Sequence, residues 1–243
     1  LTDLGLEFDK NIRNAQDTLF LNESDLIGLP ENYKKERLQK NGQYAVDMSY
    51  PSYSSFMTLA ESDTAREKLR FMFNNRAVET NVDVLDNIIR TRIDLVKLLG
   101  YRTYAEYRTE DRMAKNAKNV WAFENNLKVK LRNKAKRDLV AMMALKSERT
   151  GKKLVYNIHP WESDYYENKI KLEKFNLDSE EVRQYFEFNN VTEGLFSIYQ
   201  LLFGVRFEEV KDASVWHKNV QMFSIFNQET NELIGSFYLD MFP

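Results

Sequence analysis

The stretch NVDVLDNIIRTRIDLVKLLGY, residues 81–101, indicates a long helix and favours a mainly helical fold. Its apolar side chains recur at helical spacing, and Gly100 stands where a glycine commonly closes a helix. We therefore expect one apolar face that is wide enough to be buried. This face consists of Leu85, Ile89, Val96 and Leu99, widened by Val84, Ile88 and Leu95.

A second helical pattern runs from about residue 117 to residue 150 and ends before Gly151. At about 1.5 Å per residue, this helix would be roughly 50 Å long. Only 8 Gly and 4 Pro occur in 243 residues, so helices should dominate elsewhere too. The expected core positions of the long helix are Val120, Phe123, Leu127, Leu131, Ala135, Leu139 and Met142.

Shorter elements are expected on both sides of these helices. Residues 42–51, GQYAVDMSYP, alternate in polarity and predict a strand from Tyr44 to Tyr50 that stops at Pro51. Ser62 or Asp63 can cap a helix over residues 64–77. Further helices are expected over residues 161–175, after Asp178 or Ser179, and over residues 190–204.

β-Strand patterns return near the C-terminal end, at residues 205–210, 221–227 and 233–242. The last two flank the polar segment QETNE, which has the length of a hairpin loop. The last strand runs straight to the end of the chain, and the chain starts at Leu1 rather than at a methionine. We therefore expect that the sequence is truncated at both ends. In the last strand, Ile234, Ser236, Tyr238 and Asp240 should point one way, and Gly235, Phe237, Leu239 and Met241 the other.

The composition limits the classes of function. A hydrophobic content of 43% supports a substantial core, and a net charge of -2 gives no global attraction for polyanions. The chain has no cysteine, which excludes disulfides, thiolate metal sites and cysteine nucleophiles. No apolar run approaches the ~18 residues that indicate a membrane-spanning helix.

The residues that could carry chemistry are few. The two histidines, His159 and His217, have no second histidine at helical spacing, so we expect capping or surface histidines rather than metal ligands. Two pairs of adjacent acids are expected to be solvated. Acid–base catalysis by either pair would require that burial separate the pKa values of its two carboxyl groups. These pairs are Glu180 with Glu181 and Glu208 with Glu209.

Two further stretches have more than one interpretation. The basic run KVKLRNKAKR, Lys128 to Arg137, could bind phosphates, but without an aromatic stacking platform we favour a solvated helix face. Of Tyr165 and Tyr166, we expect one ring to pack and the other to form hydrogen bonds at the surface.

Eight stretches, in order, resemble the thimet oligopeptidase and neurolysin family of zinc metallopeptidases, and together they cover nearly the whole chain. They are FDKNI, DLIGLPE, YPSYSSFM, AREKLRFMFNNRA, LLGYRTYAEYRTEDRMAK, WESDYYENKIKLEKFNLDSEEVRQYFEFNNVTEGLFSIYQLLFGVRFEEV, SVWHKNVQMFSIFN and GSFYLDMFP.

This resemblance implies a mainly α fold, a neurolysin-like helical channel domain, with a small antiparallel β element near the C-terminal end. Residues 1–243 would be a fragment of one large peptidase domain. Residues 1 to about 204 would form a helical wall, and residues 205–243 would begin the sheet near the active site. In that family, the strand containing FYLD precedes the helix that carries His-Glu-x-x-His. This sequence has no such motif, so we expect no catalytic residue and no metal ligand in it.

The implied function is part of a zinc-dependent oligopeptidase that hydrolyses short peptides in a deep channel. Zinc in the full-length parent would polarise the scissile carbonyl and lower the pKa of its bound water to about 7. We expect this chain alone to bind no zinc and to be inactive. Ser236, Tyr238 and Asp240 are the candidate substrate-binding residues, and the alternative is that they only pair with or brace the adjacent strand.

The expected partners are short peptides, with no nucleic acid or membrane partner. The full-length protein is expected to be monomeric and cytoplasmic. Two other hypotheses remain open. One is a non-catalytic helical peptide-binding or scaffold protein, and the other is a nucleic-acid module that uses Lys128 to Arg137.

Overall fold

The computed structural model describes residues 1–151, 153–176 and 179–241. Helices predominate, and a small antiparallel sheet lies near the C-terminal end, which confirms the predicted fold class. Contacts divide the chain into two units, Leu1–Asn176 and Leu177–Pro243. No helix among the described residues is both long and apolar enough to cross a bilayer.

The first unit combines helices with a two-stranded sheet in which β1 and β2 are antiparallel. Its elements are α1 (Thr2–Asn14), β1 (Thr18–Leu21), a 3-10 helix (Glu23–Leu26), α2 (Glu31–Arg37), β2 (Tyr44–Asp47), α3 (Tyr50–Leu59), α4 (Asp63–Asn74), α5 (Val78–Leu98), α6 (Tyr104–Glu110), α7 (Ala117–Thr150) and α8 (Ser163–Phe175).

Several predicted helix boundaries are confirmed, because local hydrogen bonding fixes them. The hydroxyl of Ser62 accepts a hydrogen bond from the backbone N–H of Ala65 at the start of α4. Gly151 ends α7 with a φ of +67°, a conformation that glycine adopts without a steric penalty.

The main core of the first unit lies between the β1–β2 sheet and α2, α3 and α4. Leu26, Val46, Phe56, Met57 and Leu69 are completely buried there. Gly28 enters this region with a φ of +92°, and a Cβ atom at this position would collide with the carbonyl oxygen of Leu59. The close approach of the two backbones therefore requires glycine.

The predicted strand from Tyr44 to Tyr50 is wrong in its second half. β2 ends at Asp47, and Tyr50 is the first residue of α3. The side chain of Ser49 caps this helix by accepting the N–H of Ser52, and Pro51 occupies the first turn. Proline suits the first turn of a helix as well as the end of a strand, so the pattern allowed both structures.

The buried face of α5 differs from the predicted one. Val84, Ile88 and Val96 are buried as expected, whereas Leu85 and Ile89 are 45% and 47% exposed. The buried face of α5 is rotated from the predicted one towards Asn81, which faces α1. Asn81 donates to the carbonyl of Phe8 at 3.1 Å and accepts from Asn11 at 2.9 Å. Leu99, also predicted for the buried face, is exposed as well.

The length of α7 was predicted correctly, but its burial was not. Leu145 is buried and Met142 packs beside it. In the preceding part of the helix the apolar side chains that we predicted for the core are exposed. They are Val120, Phe123, Leu127, Leu131, Ala135 and Leu139.

In its described part, residues 179–241, the second unit has two helices and a three-stranded antiparallel sheet in the order β3-β4-β5, and it confirms the predicted hairpin. Phe196 of α10 packs against Phe207, Phe223 and Phe237, with ring centroids 4.7, 4.9 and 6.3 Å away. One face of the sheet is therefore covered by a helix. The elements are α9 (Ser179–Arg183), α10 (Phe188–Phe203), β3 (Val205–Glu209), β4 (Gln221–Asn227) and β5 (Leu233–Leu239).

Candidate functional site

Strand β5 carries the predicted substrate-binding residues at the edge of the sheet. It pairs with β4, and its other edge has no partner strand among the described residues. Gly235, Phe237 and Leu239 are less exposed than Ser236 and Tyr238, as the predicted alternation requires. Residues 233–239 contain no charge and no proline, so the free edge can accept a further strand.

Ser236, Tyr238 and Asp240 each contact a neighbouring segment of the second unit. The hydroxyl of Ser236 lies 3.0 Å from that of Ser224 on β4. The hydroxyl of Tyr238 donates to the carbonyl of Ser214 at 3.3 Å, and the indole N–H of Trp216 donates to the carboxylate of Asp240 at 3.0 Å. These are bracing contacts, in line with the alternative interpretation, and a role in substrate binding stays a prediction.

The two histidines make local contacts. The ring of His159 stacks on that of Trp161 at a centroid distance of 4.4 Å. Nδ1 of His217 accepts the backbone N–H of Asn219 at 3.3 Å. Within the described part of the chain, no three His, Cys, Asp or Glu side chains are grouped so that they could hold a metal ion.

Of the two pairs of adjacent acids, the structure describes the side chains of Glu181, Glu208 and Glu209. Glu208 is exposed and pairs with Arg206, and the carboxylate of Glu209 accepts from Gln221 at 2.9 Å. Glu181 is exposed, and the side chain of Glu180 lies outside the described residues. The described members of both pairs therefore have the solvated positions that we expected.

The basic run lies on α7, and every residue from 128 to 137 is exposed. Lys134 pairs with Asp138 one turn further along the same helix. This is the solvated helix face that we favoured. Nucleic-acid binding by Lys128 to Arg137 stays the alternative hypothesis.

The expectation for Tyr165 and Tyr166 is wrong, because both rings are buried, at 6% and 5% exposure. They pack edge to face, with centroids 5.2 Å apart, against Leu145 of α7. The sequence pattern missed this because residues 161–166 mix aromatic and charged side chains without a clean period.

These two tyrosines line a cavity of about 550 Å³ that sequence reasoning did not find. It lies between α4, α7, α8 and the segments that precede α4 and α8. Its charged lining residues are far apart in sequence: Arg66 donates to the carbonyl of Trp161 across 95 positions.

Three buried or nearly buried charged side chains line the cavity, Arg66, Lys146 and Glu162. Arg66 is 2% exposed, donates to Asp63 at 3.0 Å, and also binds the carbonyl of Ala60. Nζ of Lys146 lies 2.6 Å from the carboxylate of Glu162, which also accepts the N–H of His159 at 2.7 Å. Each of these buried charges therefore has an opposite charge and a further hydrogen bond.

Comparison with known proteins gives one family along most of the chain. The family described as Peptidase family M3 matches residues 56–243. Saccharolysin of Saccharomyces cerevisiae is 32% identical over 255 residues, which cover 98% of this chain and 36% of saccharolysin. Oligopeptidase A of Escherichia coli is 30% identical over 259 residues, which cover 100% of this chain and 37% of that protein.

A plant relative gives the same result. The probable thimet oligopeptidase of Arabidopsis thaliana is 29% identical over 244 residues, which cover 100% of this chain and 34% of that protein. The chain thus spans about a third of the length of the curated relatives that it matches.

Proposed function

Since the chain belongs to peptidase family M3, we propose that it is part of a zinc-dependent oligopeptidase that hydrolyses short peptides. The observation that carries the proposal is the family match over residues 56–243, together with relatives named oligopeptidases that align with nearly the whole chain. In this proposal, the helical unit is a wall of the peptide channel and β5 leads towards the active site.

The zinc ion belongs to the rest of the enzyme in this proposal. The residues that the structure describes offer no group of three acidic or histidine side chains for a metal, so the donor set here does not fit zinc. We assign no catalytic step to this chain, and the 243 residues alone should be inactive.

The part of the function proposed for this chain is to hold the peptide in an extended conformation. A peptide added alongside β5 would exchange main-chain N–H···O=C hydrogen bonds with its free edge. Ser236 and Tyr238 would then lie beside alternate side chains of the peptide, because they share one face of the strand. Asp240 would follow at the end of the same face.

Two measurements test this proposal. A fluorogenic short peptide is incubated with the purified chain, with and without added Zn²⁺, and no hydrolysis is expected. Zinc-dependent cleavage by the 243 residues would overturn the assignment of all catalytic groups to the rest of the enzyme. Amide hydrogen exchange is then measured with an excess of the same peptide, and slower exchange is expected in residues 233–239.

The matched control for the second measurement is the same peptide with methylated backbone nitrogens, which cannot donate main-chain hydrogen bonds. It should leave the exchange of residues 233–239 unchanged. Equal protection by both peptides, or none by either, would contradict the added-strand arrangement. β3, residues 205–209, serves as an internal reference in the same sheet.

The alternative is a helical peptide-binding or scaffold protein without catalysis. The DNA that follows the codon for Pro243 distinguishes the two. A frame that continues and encodes His-Glu-x-x-His supports the peptidase, whereas an immediate stop codon supports the peptide-binding protein.

A further inference from the structure

The cavity of the first unit has both a free carboxylate and a partly free guanidinium at its wall. Glu61 lines the cavity and is exposed, and its carboxylate has no ion pair or hydrogen bond among the described residues. Arg149 donates to Glu173 at 2.9 Å, and its side chain remains 38% exposed. A guanidinium has five N–H donors, so Arg149 keeps donors for a ligand.

Both of these charges act on one buried phenol. Burial raises the pKa of Tyr165, the nearby carboxylate of Glu61 raises it further, and Arg149 opposes the shift. Electrostatic effects of this kind require that the groups be close to each other. Glu61, Arg149 and Tyr165 all line the cavity, so a small molecule in it can reach both charged groups.

The other charged groups of the wall are already neutralised. Lys146 is paired with Glu162, and Arg66 is paired with Asp63. The net charge of these four side chains is zero. Arg149 is also paired, with Glu173, but this pair is exposed and leaves further N–H donors of the guanidinium for a ligand. Glu61 is the carboxylate of the wall without such a partner among the described residues.

Tyr166 supplies an unused polar atom. The side chain is 95% buried, and its hydroxyl has no hydrogen-bond partner among the described residues. The only polar side-chain atom in the described residues that is both sealed from solvent and without a partner is Nε of Arg37. The Tyr166 hydroxyl therefore keeps a small accessible surface, and the cavity that Tyr166 lines provides it. An unpartnered buried hydroxyl costs stability unless a ligand or water binds it.

We propose that this cavity binds a small zwitterion, a molecule of dipeptide size with a free ammonium and a free carboxylate. Glu61 binds the ammonium, Arg149 binds the carboxylate, and the Tyr166 hydroxyl donates a hydrogen bond to an oxygen of the ligand. The volume of about 550 Å³ accommodates a dipeptide, and the stacked rings of His159 and Trp161 form an apolar part of the wall. This inference does not depend on the proposed peptidase role, because binding at the cavity involves no hydrolysis.

The first experiment measures binding of the dipeptide alanyl-alanine to the 243-residue chain by titration calorimetry. N-acetyl-alanyl-alanine, which lacks the ammonium, and alanyl-alanine amide, which lacks the carboxylate, are compared with it. Saturable binding is expected for the zwitterion, and each capped analogue should bind about tenfold more weakly or worse. No detectable binding, or equal binding of all three compounds, would overturn the proposal.

The second experiment assigns the site with paired variants. Tyr166→Phe removes only the unpartnered hydroxyl, so it should weaken binding several-fold while the midpoint of unfolding is unchanged or higher. Tyr156→Phe, at a side chain that is 81% exposed, is its control. Glu61→Gln should weaken binding about tenfold, whereas Glu67→Gln on the exposed side of α4 should not.

Arg149→Gln is paired with Arg132→Gln, which lies on the exposed part of the same helix. The first should weaken binding about tenfold and the second should have no effect. Affinities that fall equally in a cavity variant and in its control, or that fall in neither, would place the ligand elsewhere and refute the site. The folded state of each variant is verified by circular dichroism before titration.

Discussion

The buried pair of Lys146 and Glu162 gives the sharpest stability prediction. Their charged atoms are 2.6 Å apart, and the two side chains are 12% and 3% exposed. Lys146→Met keeps most of the aliphatic length but leaves the carboxylate of Glu162 buried without a cation. The loss of one partner of a buried pair costs about 3–5 kcal/mol, and we expect the lower end because the adjacent cavity admits water.

The matched control is Lys134→Met on the same helix. Lys134 pairs with Asp138 in an exposed position, with side chains 66% and 51% exposed. Solvent and salt screen such a pair, so its loss should cost about 0–1 kcal/mol. The double variant Lys146→Met with Glu162→Gln should regain much of the lost stability, since the uncompensated charge is gone.

The assay is urea unfolding followed by far-ultraviolet circular dichroism, with the slope of the transition compared among all four proteins. A cost of about 3 kcal/mol is a large fraction of the ~5–15 kcal/mol that stabilises a typical domain. If Lys146→Met lowers the free energy of unfolding no more than Lys134→Met does, the pair of Lys146 and Glu162 is not shielded from solvent. The argument that these two charges neutralise each other at the cavity wall would then be refuted.

Three further predictions concern the first unit. Burial raises the pKa of Tyr33 to about 12, so its neutral form favours the folded state. Stability should fall as the pH rises from about 10 towards 12, and Tyr33→Phe should reduce that slope in alkaline urea titrations. For Asp47, burial raises the pKa, but hydrogen bonds from Ser49 and Ser52 outweigh it and lower the pKa overall. This contribution is present at neutral pH and lost as the pH falls through the lowered pKa, so Asp47→Asn should flatten the acid side of the stability profile. Gly28→Ala should cost about 2 kcal/mol or more, whereas Gly5→Ala, in open space within α1, should add roughly 0.5–1 kcal/mol in the same urea assay. Equal effects of the two glycine substitutions would contradict the close backbone approach at Gly28.

Features that depend on neighbouring residues could be predicted well. The helical period and the following glycine defined α7, and Ser62 identified the start of α4. The alternation in residues 233–239 gave the two faces of β5. These features follow from backbone hydrogen bonding and side-chain direction, which act over a few residues. The ordered matches along the chain also gave the family.

The candidate sites were predicted less completely. Ser236, Tyr238 and Asp240 were assigned to one face, but their partners Ser224, Ser214 and Trp216 became evident only with the sheet in place. The cavity was not predicted, because its lining residues come from segments that are distant in sequence. No local period relates such residues to each other.

The sequence by itself determined the length of α7, the C-terminal hairpin and membership of peptidase family M3. Only the tertiary structure decided which side chains are buried. Leu85 and Val84 are similar apolar neighbours on α5, yet Val84 is buried and Leu85 is not. Tyr165 and Tyr166 are both buried because α7 and α8 pack together there. The physical reason is that an apolar pattern defines a surface that can be buried, while burial itself requires a partner surface brought there by the rest of the chain.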